Sequence, residues 1–165
     1  MVPHRLSTAI TLHRPMGRMQ DLIDRYTGLE PSEFGRVLTE RTTTLFTGLV
    51  PLAGGTGDAE AAFISIVMGA VAGDGELTET EYNALAPYFD NAVGRRLGYD
   101  EVVTALDAAG SPEDHRSNVR DLARTLDGVS RRLGEDVAVV SILFCSVDRD
   151  INDTERAWLL DLLDD

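Results

Sequence analysis

The sequence predicts an all-α fold, a compact bundle of about seven to nine helices, and three observations carry that reading. Apolar residues recur at steps of three and four along most of the chain. No segment holds the two-residue alternation that a half-buried strand requires. A pattern of helix, acidic turn and helix is written twice, 74 positions apart: Asp74-Gly75-Glu76-Leu77-Thr78-Glu79-Thr80-Glu81 returns as Asp148-Arg149-Asp150-Ile151-Asn152-Asp153-Thr154-Glu155. Only Gly75 against Arg149 breaks the like-for-like match. Each copy follows a small-and-apolar run, Ala61 to Ala72 or Val137 to Val147, and precedes an amphipathic one. Such a duplication predicts an internal pseudo-twofold repeat, which could bring two equivalent acidic loops together.

Taken in order, residues 1–15 have no apolar period and end at Pro15, so they are expected to be poorly ordered. A short helix is expected from about Met16 to Tyr26, closing at Gly28. Glu30-Pro31-Ser32 then starts a longer helix with Ser32 as its N-cap, carrying Phe34, Val37, Leu38, Leu45, Phe46 and Leu49 at helical spacing. Thr42-Thr43-Thr44 weakens its middle, because β-branched side chains are stiff in a helix. The turn from Ala53 to Asp58 leads to the first apolar helix and the first acidic turn. Tyr99 to Ala109 reads as a linking helix.

Ser111-Pro112-Glu113-Asp114 is a strong start for the next helix: Ser as N-cap, Pro at the first position and acids in the first turn. Val119, Leu122, Ala123, Leu126, Val129 and Leu133 would give it one continuous apolar face, with Gly134 as the stop. The second apolar run and acidic turn complete the chain. The expected organisation is therefore a tail and short helix over 1–31 and a helical domain over 32–165, with repeat units of about 32–89 and 111–163.

Composition narrows the chemistry. One domain is expected at 165 residues. All 15 basic residues are Arg, so lysine Schiff-base chemistry is excluded. The lone Cys145 sits among Ile142, Leu143, Phe144 and Val147 and reads as a reduced core thiol in a cytoplasmic protein. Residues 1–56 carry six Arg and five acids, whereas residues 57–165 carry nine Arg and 23 acids, a net charge of −14. That second part repels a phosphate backbone and attracts cations and basic protein surfaces. The longest apolar stretches, about 11 to 12 residues, are too short for a transmembrane segment. Met1 to Arg14 shows no h-region of a signal peptide, and Met16 is an alternative start. His4, His13 and His115 offer no ligand spacing. Gly54-Gly55-Thr56-Gly57 lacks the Lys-Ser/Thr of a phosphate loop and reads as a linker. Trp158 among leucines reads as core.

The acidic turns hold the candidate site. Thr78 with Glu81 forms a capping box, and Asn152 with Glu155 is equivalent. Glu79 and Asp153 complement the helix dipole. Capping leaves Asp74 with Glu76, and Asp148 with Asp150, at alternate loop positions that suit a hard divalent cation. Neither copy is an EF-hand, since the twelfth positions are Leu85 and Leu159 instead of Glu. A site for Ca²⁺, Mg²⁺, Mn²⁺ or Zn²⁺ would draw on Asp74, Glu76, Glu81, Asp148, Asp150 and Glu155. Two carboxylates about 5 Å apart repel by roughly 3 kcal/mol at an effective dielectric near 20, which favours a cation or a partner Arg between them. Arg149 is an internal counter-ion candidate in the second copy.

An apolar helix ending in Asp-Gly-x-hydrophobic-x-x-x-Glu, here Asp74, Gly75, Leu77 and Glu81, with a return at Asp148, Ile151 and Glu155, resembles the tellurite-resistance TerB-like family and the related domain of DjlA-type co-chaperones. The resemblance covers about residues 32–165 and implies an all-helical fold, a metal site on the acidic turns and a stress-response role. The expected protein is a cytoplasmic, non-enzymatic module whose acidic loops bind a divalent metal or dock a basic partner. A metal-free interaction scaffold is the alternative, a homodimer is an open partner state, and a hydrolase using Asp74 and Glu81 is the enzymatic alternative.

Overall fold

A computed structural model describes residues 17–71, 77–147 and 151–163, and the expected disorder of residues 1–15 lies outside them. Eight helices succeed one another among the described residues, with no strand: α1 (Arg18–Thr27), α2 (Pro31–Ala53), α3 (Thr56–Val71), α4 (Glu79–Val93), α5 (Tyr99–Ala109), α6 (Pro112–Val129), α7 (Arg131–Cys145) and α8 (Asp153–Leu160). The two apolar helices are central. α3 packs on α2, α4, α5, α6 and α7, while α7 packs on α1, α2, α3, α6 and α8. From Val137 to Cys145 every residue of α7 is buried, because the run has no polar face to turn outward. α3 buries Ala59, Phe63, Ile64, Ile66, Val67, Met68 and Ala70, and Phe63 meets Phe46 of α2 edge-on at 5.5 Å.

Local chemistry explains most boundaries. The Thr run in α2 is tolerated because Thr42, Thr43 and Thr44 each donate a hydroxyl back to the carbonyl four residues earlier. Thr42 is thereby buried without an orphaned hydroxyl. The N-cap of α2 is Glu30 with Pro31 at the first helical position, so Ser32 lies inside the helix, and the expected cap is displaced by proline's fixed φ. Gly134 also departs from expectation. α6 stops at Val129, and Ser130 closes it through its N–H to Leu126 O while its Oγ caps α7 by accepting from Leu133 N. Gly134 sits inside α7, where a Cβ would lie 2.5 Å from Asp127 Cβ, so glycine is needed there for helix approach rather than for a stop. Consequently the apolar face of α6 ends at Leu126, and Val129 is 63% exposed.

Polar groups lock the outer helices to this core. Arg18 of α1 forks onto Asp127 at 2.9 and 2.8 Å and reaches Arg131 O, fastening α1 to the α6–α7 corner. Asp136, buried in α7, holds Arg41 of α2 at 2.9 Å, and Arg41 donates onward to the Tyr26 hydroxyl of α1. Burial pushes the Asp136 carboxyl above its ordinary range, against the opposing pull of Arg41. His115, in the first turn of α6, is buried with Nε2 at 2.7 Å from Leu106 O, linking α6 to α5. Trp158 is half-buried, its indole N–H donating to Arg116 O. Cys145 is buried in the core, as expected.

Candidate functional site

Each acidic turn begins its second helix with a capping box. At α4, Thr78 Oγ1 accepts from Glu81 N at 3.1 Å while Glu81 Oε1 accepts from Thr78 N at 2.9 Å. At α8, Asn152 Oδ1 accepts from Glu155 N at 2.8 Å and Glu155 Oε1 accepts from Asn152 N at 3.0 Å. Glu81 and Glu155 are therefore engaged at their own helix starts. Asp74, Glu76, Asp148 and Asp150 lie outside the described residues, as does Arg149. Among the described residues, no group of three or more His, Cys, Asp or Glu side chains is arranged to hold a metal ion. A third capping box, Ser111 with Asp114, starts α6. The Ser111 backbone N–H, with its hydroxyl as a second donor, holds the Asp114 carboxyl below the usual range.

Beyond the caps the two turns diverge. Leu77 is buried, and its carbonyl accepts the Tyr99 hydroxyl of α5 at 2.8 Å. Tyr82, buried one turn into α4, donates to Leu97 O and stacks edge-on with Tyr99 at 5.4 Å. Arg95 then ties Glu60 of α3 to Glu101 of α5, with both contacts at 2.6 Å. Those hydrogen bonds raise the Arg95 guanidinium, and the one from Arg95 is the main cause that lowers Glu101. α5 is thus fastened over Leu77 and the start of α4.

The second turn adjoins an opening. Tyr26, Thr27, Leu29, Pro31, Phe34, Ser146, Val147, Ile151 and Arg156 line a cleft of about 420 Å³ where the α1–α2 corner meets the end of α7 and the start of α8. Arg156 lies 4.0 Å from Asp24 of α1. The cleft is not legible in the sequence, because its described lining comes from two distant stretches, 26–34 and 146–156, and Arg156 looks like an ordinary exposed helix position. The signal available was the replacement of Tyr82 by Arg156 between the two copies.

Comparison with known proteins gives no match to any family model, curated protein or solved structure. The TerB-like resemblance rests on the quoted turn residues alone. What stands established is the class: an all-helical protein in which no described helix is long and apolar enough to cross a membrane.

Proposed function

We propose that this chain is a non-enzymatic helical docking module for a partner protein with an Arg-rich or Lys-rich surface. The supporting observation is the distribution of charge. The chain holds 28 acids against 15 Arg. Arg18, Arg41, Arg95 and Arg124 are engaged with the chain's own carboxylates. Meanwhile Asp58, Glu79, Asp100, Glu113 and Asp153 stand exposed in the first turns of α3, α4, α5, α6 and α8. Ion pairing removes one acid for each Arg, so the formal net charge of −13 remains, and its negative field would steer basic proteins inward and nucleic acid away.

In the same reading Asp74 with Glu76, and Asp148 with Asp150, would supply carboxylates to a divalent cation, with Glu81 and Glu155 alongside. A cytoplasmic stress-response or regulatory setting, which the TerB-like resemblance implies, belongs to the same proposal. Calorimetric titration with an oligo-arginine peptide tests the docking surface. Binding at low salt that weakens steeply as salt rises is expected, with none for oligo-glutamate or duplex DNA. No heat at low salt overturns the proposal. For the cation, a saturating metal that binds only the folded state raises stability by about 2.7 kcal/mol at a hundred times its dissociation constant. Asp74→Asn with Glu76→Gln should remove that gain, and a melt unmoved by Ca²⁺, Mg²⁺, Mn²⁺ or Zn²⁺ against a chelator control rejects the cation.

A further inference from the structure

Where α5 covers Leu77 and the start of α4, the start of α8 lies beside a cleft, and the sequence repeat identifies the residues that differ. Ile151 and Arg156 occupy the positions of Leu77 and Tyr82 in the other copy. Leu77 and Tyr82 are buried and hydrogen-bonded to α5 and the segment before it, whereas Ile151 and Arg156 line the 420 Å³ cleft. We propose that this cleft is a binding site for a small organic monocarboxylate with one aromatic or branched apolar body.

Three properties select that ligand. The volume lies at the small end of ligand pockets, about 300–1,000 Å³, which suits a single ring or a short branched chain. Leu29, Phe34, Val147 and Ile151 form an apolar wall, each partly buried and packed on the core, and the Tyr26 ring extends it. Arg156 is the charged residue among the described lining, and its guanidinium gives the cleft a group that binds an anion. Its contact with Asp24 is at the outer limit of an ion pair, on side chains that are 41% and 52% exposed. A single guanidinium fork matches a carboxylate. A phosphate dianion calls for several further donors, yet the hydroxyl protons of Thr27 and Ser146 already go to Ile23 O and Ile142 O, which leaves the Tyr26 hydroxyl, itself accepting from Arg41, as the one other hydroxyl donor among the described lining.

The site stands independently of the basic-partner reading, and its test shares no reagent with it. Amide spectra of the ¹⁵N-labelled full chain are recorded during titration with phenylacetate, with isovalerate, and with the neutral twin phenylacetamide. Saturable shifts at Thr27, Leu29, Phe34, Val147 and Ile151 are expected for at least one carboxylate, and phenylacetamide should bind about tenfold more weakly or worse, since a hydrogen bond to a charged group is lost. Arg156→Gln should weaken carboxylate binding by a similar factor with the rest of the spectrum unchanged. Arg36→Gln, on an exposed arginine of α2 paired with Glu33 and Glu40, should leave it intact. Absence of saturable shifts in the cleft overturns the proposal. So does equal affinity for acid and amide, which is read on the wild-type chain and needs no variant to fold.

Discussion

Thr78 and Asn152 hold equivalent positions in the two acidic turns, and each forms the same reciprocal cap with a Glu three residues on. The helices behind those caps differ. α4 runs for 15 residues and buries Tyr82, Leu85 and Phe89, whereas α8 runs for 8 and buries Leu159 alone before Leu162 and Leu163 close the chain against the core. The first helix packs along α2, and α8 meets α1 and α7 at the edge of the bundle. Identical cap chemistry therefore starts a core helix in one place and an edge helix in the other. A cap fixes where a helix begins, and the apolar face behind it decides how deeply the helix is held.

The largest effects should come from the equivalent leucines of those two helices. Leu85 and Leu159 are both fully buried, and truncation of either to Ala should cost about 2–5 kcal/mol. Leu85→Ala should lie at the upper end, because α4 is held along its length by α2 and the vacated space cannot collapse. The edge helix α8 can shift to refill its cavity. Urea unfolding measures both, and a larger loss for Leu159→Ala would reverse the assignment of core and edge.

A second contrast sets the buried Asp136–Arg41–Tyr26 chain against the surface caps. Asp136→Asn keeps an oxygen acceptor for Arg41 and removes a charge that burial disfavours, so at neutral pH it should cost no more than about 1 kcal/mol. The pH dependence carries a sign that the caps do not share. Burial raises the folded-state pKa of Asp136, so the native protein holds this proton more tightly than the unfolded chain does. Its contribution to stability falls as pH rises from the unfolded value, about 3.9, through the higher folded one. Asp114 behaves oppositely: its folded pKa is depressed, so its contribution is present above the unfolded value and is lost as pH falls through the folded one. As pH falls, wild type should gain stability relative to Asp136→Asn, while its advantage over Asp114→Asn should shrink. Parallel curves would remove the distinction.

Much of this architecture was legible because it comes from local rules. The helical periods, two capping boxes, the Ser111 cap and the two apolar runs that became the central helices are all written in neighbouring residues. The misplaced features were those decided by distant chain. Gly134 reads as a stop until Asp127 is seen to need the space of its missing Cβ. His115 reads only as a residue of a first helical turn until Leu106 supplies its partner. The cleft around Arg156 needs two distant stretches to be brought together before it exists. Asp136 stands immediately before the apolar run, and nothing local distinguishes a buried ion pair from a helix-surface acid at that place.

Caps give effects of similar size: Thr78→Ala and Asn152→Ala should each cost about 1 kcal/mol. Because α8 is short and lies at the edge, loss of Asn152 should also accelerate amide exchange through α8, while loss of Thr78 should leave most of α4 protected by its packing. Equal loosening of both helices would mean that the cap, and not the buried face, holds α4.

The smallest effect belongs to Arg95, which bridges Glu60 of α3 and Glu101 of α5 and has no counterpart described at the second turn. Its guanidinium is nearly half exposed, so water and salt screen both contacts, and the loss in Arg95→Gln should be smaller than that of either cap variant. The loss should shrink further as salt is raised, because exposed charges are screened over about 10 Å at 0.1 M ionic strength and about 3 Å at 1 M. Glu101 provides an independent readout. Arg95 is the main cause of its depressed pKa, so in Arg95→Gln the Glu101 carboxyl should titrate closer to its ordinary value by carbon-detected NMR. An unchanged Glu101 titration would show that the bridge is not formed in solution. The fastening of α5 over the start of α4 would then rest on Tyr82, Tyr99 and the backbone carbonyls they reach, groups whose hold does not weaken with salt.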